Sequence, residues 1–364
     1  MRSQTAARDS AYRASEKDRK STPKGVEAVT DQERLIPWTQ PGWFERASVW
    51  IQAELERQGV IASGPIEQPH SRPWSTVLRV PTIEGDIYFK AVSPVNPYEP
   101  ELLGALARWR PDRVPRLLSV DTERGWVLMR DAGQRLREII RPTRDMSPWL
   151  SVLPLYAELQ IELAPRVPDL LALGVPDRRL SVLPTLYEPL LDDVDVLRID
   201  QPAGVTSEQY RRLLELPLRV AELCERLADH RIPETLNHGD LNDSNVFVSS
   251  GSSVFIDWGD GCVSHPFYSL RTVLVSAEIS LGLEENSPEL HPLRDAYLEP
   301  WTRYESREDL LRALDLAGRL ASINGALTWH LLVSRLEGAR RNEYAGPVPA
   351  LLQEFLDAET TAHG

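Results

Sequence analysis

The sequence predicts an α+β protein with a small strand-rich N-terminal lobe and a larger, mainly helical C-terminal lobe. Before about residue 130, short β-branched and aromatic runs are bounded by turn residues. After residue 147 the apolar residues recur every three to four positions. A single strand-rich island, 246–256, interrupts that helical stretch. The 364 residues are 42% hydrophobic and 26% charged, enough to bury a sizeable core.

Residues 1–30 hold seven basic and four acidic residues with no apolar pattern, so they read as a disordered tail. Folded sequence is expected from about Leu35, with a helix after Pro41 built on Trp43, Ala47, Trp50, Ile51 and Leu55 and closed at Gly59. Ser75–Val80 and 86–92, split by Gly85, read as a hairpin. A loop over 94–100, a helix over 101–108, and strands over 117–120 and 126–129 follow. The segments 150–164, 184–192, 207–230, 266–281, 289–301 and 307–335 read as helices. The expected division is a tail (1–30), an N-terminal lobe with leading helix and hinge (31–133) and a C-terminal lobe (134–364).

The formal net charge of −13 argues against a nucleic-acid partner. No apolar run approaches about 18 residues, and no signal-type segment opens the chain, so a membrane span or secretion signal is not expected. Two cysteines about 40 residues apart, Cys224 and Cys262, make neither a disulfide framework nor a zinc pattern, which points to a cytoplasmic protein.

The island carries the chemistry. His238-Gly239-Asp240-Leu241-Asn242-Asp243-Ser244-Asn245 fits H-x-D-x-x-x-x-N, and Asp257-Trp258-Gly259 fits D-x-G twelve residues after the Asn. Protein kinases place their catalytic loop and metal-binding segment in this layout. In-line phosphoryl transfer needs a group on the acceptor hydroxyl, here Asp240. It also needs hard oxygens for Mg²⁺, here the neutral Asn245 and the anionic Asp257. Gly259 is expected to let the backbone turn sharply beside the metal. A calcium loop starting at Asp240 fails, since its sixth position is Asn245 and its twelfth is Gly251.

Upstream, Lys90 stands alone in the apolar run Tyr88-Phe89-Lys90-Ala91-Val92, as either an edge-strand lysine or an ammonium for the ATP phosphates held by a glutamate. Glu99 shares a helical face with Leu102, Leu103 and Leu106, whereas Glu101 falls on the solvent side, so Glu99 is the expected partner. The loop 70–76 has no glycine pattern, and Ser75 or a backbone N–H there would meet phosphate. Met129, Arg130 and Ala132 open the link between the lobes, where adenine would bond to backbone. Cys262, His265, His291 and His330 read as structural, and Asp192, Asp193 and Asp195 as a solvated face.

Over about residues 60–335 the chain resembles the aminoglycoside phosphotransferase family, on Lys90, Glu99, the His238–Asn245 loop and Ile256-Asp257-Trp258. The resemblance implies a bilobal protein-kinase-like fold, ATP and Mg²⁺ as cofactors, His238 and Gly239 supporting the catalytic loop, and a small hydroxylated acceptor such as an aminoglycoside or amino-alcohol. Only 261–265 separates the Asp257 segment from the next helix, too short for the platform on which a protein substrate docks. Ser269 stands where the family often has Asp, a change expected to touch only local packing. The alternative is a catalytically weak nucleotide-binding module of the same fold. Oligomeric state is not legible.

Overall fold

The computed structural model describes residues 36–249, 252–336 and 338–361. The expected tail and the expected start at Leu35 lie outside the described residues, as do the two residues at the centre of the island, Ser250 and Gly251. The chain forms two compact units that interleave along the sequence. One takes 36–134 with Phe247–Gly259, the other Arg135–Val246 with 260–361.

In the first unit, helix α1 (Trp43–Arg57) precedes a five-stranded antiparallel sheet: β1 (Glu67–Ser71), β2 (Ser75–Val80), β3 (Ile87–Val92), β4 (Leu117–Asp121) and β5 (Trp126–Arg130), in the order β1-β2-β3-β5-β4. Helix α2 (Glu99–Trp109) connects β3 to β4. Alternation along β3 sends Ile87, Phe89 and Ala91 into the core shared with Trp43, Ala47 and Ile51 of α1. There Phe89, Trp43, Trp50 and Trp126 meet mostly edge to face at 5.5–6.4 Å, contacts of about 1 kcal/mol each beyond area burial. The same alternation directs Lys90 to the opposite face. β3 is flanked by β2 and β5, so Lys90 is not on an edge.

Three boundaries differ from expectation. β1 was not expected: all five of its residues are exposed, so it shows no apolar alternation. Helix α2 begins at Glu99, inside the expected loop, with Pro100 at its second position, where a missing N–H costs nothing. The segment Phe247–Gly259 groups with the strand-bearing unit rather than with the helices around it in sequence. Its strands β7 (Val246–Ser249) and β8 (Ser252–Phe255) supply the reason. The Phe255 N–H donates to Arg113 O at 2.9 Å, and a Cβ on Gly133 (φ 105°) would lie 3.0 Å from Val248 O.

The second unit is helical: α3 (Leu136–Thr143), α4 (Ser147–Leu163), α5 (Leu183–Asp192), α6 (Pro217–Ala228), α7 (Tyr268–Leu281), α8 (His291–Leu298), α9 (Arg307–Val333) and α10 (Pro347–Thr361), with shorter helices between. The helix expected over 207–230 splits into Ser207–Leu214 and α6, because Pro217 has no N–H to continue the ladder. A two-stranded antiparallel sheet, β6 (Thr235–Asn237) and β9 (Cys262–Ser264), pairs Asn237 with Cys262 and Leu236 with Val263. No helix among the described residues is long and apolar enough to cross a membrane.

His265, directly after β9, is 1% exposed. Its Nδ1 accepts the Phe267 N–H at 3.3 Å, and its ring meets Phe267 edge to face at 5.0 Å. Burial disfavours the imidazolium, and the pKa falls from 6.5 to about 3. The unfolded ring therefore takes a proton near pH 6.5 that the folded ring refuses. Its contribution is full above that pH and is lost as the pH falls towards 3, amounting to about 2 kcal/mol by pH 5. In H265N the change in unfolding free energy between pH 7.5 and 5 should be smaller by about this amount. Equal changes in both proteins, measured by chemical denaturation, would mean that the folded ring protonates freely.

Candidate active site

In the strand-bearing unit, Lys90 is 7% exposed and its ammonium bridges two carboxylates. Nζ lies 2.5 Å from Glu99 Oε1 and 2.5 Å from Asp257 Oδ1. Burial opposes the charge on Lys90, but Asp257 and Glu99 more than offset it, and its pKa is raised. Burial pushes the Glu99 carboxyl upward, and the Lys90 charge draws it back. Glu101 is exposed, on the opposite side of α2.

Asp257 follows β8 and takes a left-handed backbone, φ 64°. That conformation is rare for a non-glycine residue, and such strain concentrates at functional sites. Its carboxylate is half exposed. Gly259 plays a different part from the one expected: its φ is not in the left-handed region, and the unusual turn is at Asp257. What Gly259 supplies is space. A Cβ there would sit 2.9 Å from Glu99 Oε2 and 3.3 Å from Asn96 Nδ2, while its carbonyl accepts the Tyr98 hydroxyl at 2.5 Å.

Ser75 opens β2 and is 5% exposed. The turn before it closes through Arg72 N–H to Ser75 O at 2.8 Å, and Trp38 Nε1 donates to Arg72 O at 2.9 Å. This turn holds its shape without glycine because neighbouring backbone and indole groups pin it. At the end of β5, Met129 pairs with Tyr88, and the Arg130 N–H donates to Arg116 O at 2.9 Å. Among the described residues, the N–H and C=O of Ala132 make no backbone hydrogen bond.

In the helical unit, the loop 238–245 is knitted to itself. Asn245 Nδ2 donates to Asp240 O at 2.9 Å and to Asp240 Oδ2 at 3.0 Å, and Asn242 Nδ2 donates to Asp240 Oδ1 at 2.8 Å. With its amide nitrogen turned to Asp240, Asn245 keeps Oδ1 available; that oxygen makes no hydrogen bond among the described residues. Gly239, φ 79°, passes so close to the chain that a Cβ would lie 2.1 Å from Asp260 O. The donor chemistry fits magnesium: Asn245 and Asp257 each present a hard oxygen, with phosphate oxygens and water to complete the shell.

Residues that sequence reasoning missed hold this loop in place. Asp243 has no exposed surface. Arg137 Nε donates to Asp243 Oδ1 at 2.7 Å, Ser280 Oγ donates to Oδ2, and the Asp243 N–H donates to Ser276 Oγ at 3.1 Å. Two helices, α3 and α7, thus grip the loop midway between Asp240 and Asn245. On α4, Tyr156 OH accepts the His238 N–H at 3.0 Å and shares a hydrogen bond with Ser269 Oγ at 2.9 Å. Gln160, one turn on, donates to Leu236 O at 3.2 Å. Ser269 is therefore tied to the loop and does more than fill local packing, correcting the expectation. The visible signal was Tyr156 and Gln160 at i and i+4 on the inward face of an apolar helix.

Of the residues expected to be structural, Cys262 and His265 are buried. Asp193 is not a purely solvated side chain: it pairs with Arg341 at 2.7 Å and His330 at 3.1 Å.

Residues 184–311 match the family described as "Phosphotransferase enzyme family", a segment that includes the loop 238–245 and Asp257. An ethanolamine kinase of Plasmodium vivax shares the fold with a TM-score of 0.58 at 14% identity, over 93% of this chain and 98% of that one. An aminoglycoside 2′-phosphotransferase solved as its GDP complex gives 0.55 at 18% identity, over 87% and 98%. These likenesses show the kinase-like fold. An ATP-dependent DNA helicase of Escherichia coli K12, DinG, is 26% identical over 199 residues, which is 51% of this chain. The chain spans about a quarter (26%) of the length of that relative.

Gly239→Ala should be severe, because both the left-handed backbone and the Asp260 carbonyl oppose a Cβ. We expect a loss of about 3 kcal/mol or more in urea denaturation. Unchanged stability would show that the contact with residue 260 yields freely.

Proposed function

We propose that this chain, whose residues 184–311 match the phosphotransferase enzyme family, is an ATP-dependent small-molecule kinase. It moves the γ-phosphoryl group of ATP to a hydroxyl of a small acceptor. The observation that carries this is Lys90 buried between Glu99 and Asp257. A buried ammonium with two carboxylates is an expensive arrangement for structure alone, and it is the lysine–glutamate–aspartate set that handles nucleotide phosphates in kinase-like enzymes.

In this proposal Lys90 binds the nucleotide phosphates and Glu99 orients it. The backbone around Met129, Arg130 and Ala132 takes the adenine, with Ala132 best placed because its N–H and C=O are uncommitted. The turn ending at Ser75 covers the phosphates. Asn245 and Asp257 would hold magnesium, which when bound offsets phosphate charge. Asp240 receives the proton of the acceptor hydroxyl or orients it, and His238 and Gly239 set the loop's course. The segment 262–264, bound as β9 to β6, leaves no extended platform for a protein substrate, which supports a small acceptor. A cytoplasmic location, without nucleic-acid or membrane partners, accompanies the proposal.

An amino-alcohol or aminoglycoside-like acceptor draws support from the fold likenesses. The acidic side chains give it less. Asp200 accepts the Ser207 N–H at 2.8 Å and Glu278 accepts the Asn286 N–H at 2.6 Å, so these carboxylates, like Asp193, serve the fold. The helicase's activity belongs to a protein of which the chain spans a quarter, and it does not enter the proposal.

Mg-ATP at a hundred times its dissociation constant should stabilise the protein by about 2.7 kcal/mol and raise Tm by roughly 2–4 °C. Asp240→Ala should keep that shift while acceptor-dependent ATP consumption collapses. Asp257→Ala should lose the magnesium-dependent part of the shift. Near-normal turnover in Asp240→Ala would remove its assigned role, and no shift in the wild type at millimolar Mg-ATP would remove the proposal.

A further inference from the structure

Arg178 lies in the segment before α5, beside β9. The Val263 N–H donates to Pro176 O at 2.9 Å, the Arg178 N–H donates to Val263 O at 2.8 Å, and Asp177 bridges Val263 in parallel. Val263 in turn pairs with Leu236 of β6, which runs straight into His238-Gly239-Asp240. At about 4.8 Å per strand spacing, the backbone of Arg178 is two spacings from the strand that delivers the catalytic loop. Its side chain reaches α9, where Nη1 donates to Asn324 O at 2.9 Å and to Thr328 Oγ1 at 2.5 Å. Asn324 Oδ1 is 3.6 Å from Cys262 Sγ, and Cys262 pairs with Asn237, whose Oδ1 accepts the Gly239 N–H at 2.9 Å. A continuous polar path thus joins Arg178 to the loop.

The charge on Arg178 is what local structure does not explain. The residue is 5% exposed, and a guanidinium stays protonated in proteins. Among the described residues no carboxylate lies within ion-pair distance of it, and its Nε and Nη2 make no hydrogen bond. The nearest acid in sequence, Asp177, is taken by Arg179, whose Nε and Nη2 donate at 2.9 and 2.7 Å. Other inward arginines of this unit have acids: Arg137 has Asp243, Arg271 has Glu354 and Arg319 has Glu359. A buried charge without a counter-ion is strongly disfavoured unless something else meets it. The edge left unpaired, Nε with Nη2, is the planar fork that takes an oxyanion at two points.

We propose that Arg178 is an oxyanion-binding residue that receives a carboxylate or phosphate group through its Nε/Nη2 edge. Resting on the kinase reading, this gives the acceptor side of the reaction an anionic anchor, either on the hydroxylated acceptor itself or on a free anion bound beside it.

Thermal melts at constant ionic strength, with inorganic phosphate replacing chloride and Mg-ATP present throughout, test this directly. Phosphate should raise the wild-type Tm by roughly 2–4 °C near saturation. R178Q and R178K should need at least about tenfold more phosphate for the same rise, because lysine keeps the charge but loses the two-point fork. The shift from Mg-ATP alone should be equal in all three proteins. Should R178Q not fold, R178K and the wild-type titration still decide. With an acceptor in hand, phosphate that raises its KM at constant kcat assigns the oxyanion to the acceptor; phosphate that binds without competing assigns it to a free anion. No phosphate shift, or equal shifts in wild type and R178K, would overturn the proposal and leave Arg178 as a tether between its segment and α9. A phosphate shift that persists where Mg-ATP gives none would keep the oxyanion site and remove the kinase.

Discussion

A lysine ammonium buried in a protein interior must be met by negative charge, and the strand-bearing unit is arranged around meeting the one on Lys90. The period of β3 puts Phe89 in the tryptophan-rich core under α1 and Lys90 on the other face. α2 starts where Glu99 reaches Nζ, and Tyr98, beside Glu99, bonds the Gly259 carbonyl. The segment 247–259 leaves the helical part of the sequence to bring Asp257 to the same ammonium. Withdrawing either carboxylate would strand a buried charge, at a cost of about 3–5 kcal/mol. The strained backbone of Asp257 and the absence of a side chain at Gly259 follow from this crowding.

In the helical unit a different constraint operates. Asp240 and Asn245 have fixed roles only if the loop between them has one shape, and a loop has little shape of its own. Rigid helices impose it. Asp243 is gripped from α3 and α7, and the His238 N–H is bound by Tyr156 of α4, whose phenol is kept neutral by burial. Gly239 threads past residue 260 where no side chain fits. Long-range packing thus prepares a short polar loop for chemistry.

The strands and helices with apolar periodicity were legible in the sequence, as was the paired spacing of Asp240, Asn245 and Asp257. Glu99 was legible because its helical face could be read from Leu102, Leu103 and Leu106. β1 was not, since an edge strand with every side chain exposed has no hydrophobic signature. Gly259 was misread because a glycine needed for space looks the same in sequence as one needed for a left-handed turn. The grouping of 247–259 with the strand-bearing unit depends on backbone bonds such as Phe255 to Arg113, about 140 residues apart, which no local window contains. The second tier of the loop, Tyr156, Gln160, Asp243, Ser269 and Ser280, also joins distant positions. Arg178 becomes conspicuous only when its lack of an acid can be compared with its neighbours' pairs.

The most direct measurement is of phosphoryl transfer itself. Protein, magnesium and ATP labelled at the γ-phosphate are incubated with pooled hydroxylated metabolites and antibiotics, and products are read by mass spectrometry. Label should appear on an acceptor oxygen with the wild-type enzyme, depend on magnesium, and vanish in Asp240→Asn. Label recovered only as inorganic phosphate, or acceptor phosphorylation undiminished in Asp240→Asn, would contradict a small-molecule kinase working through Asp240.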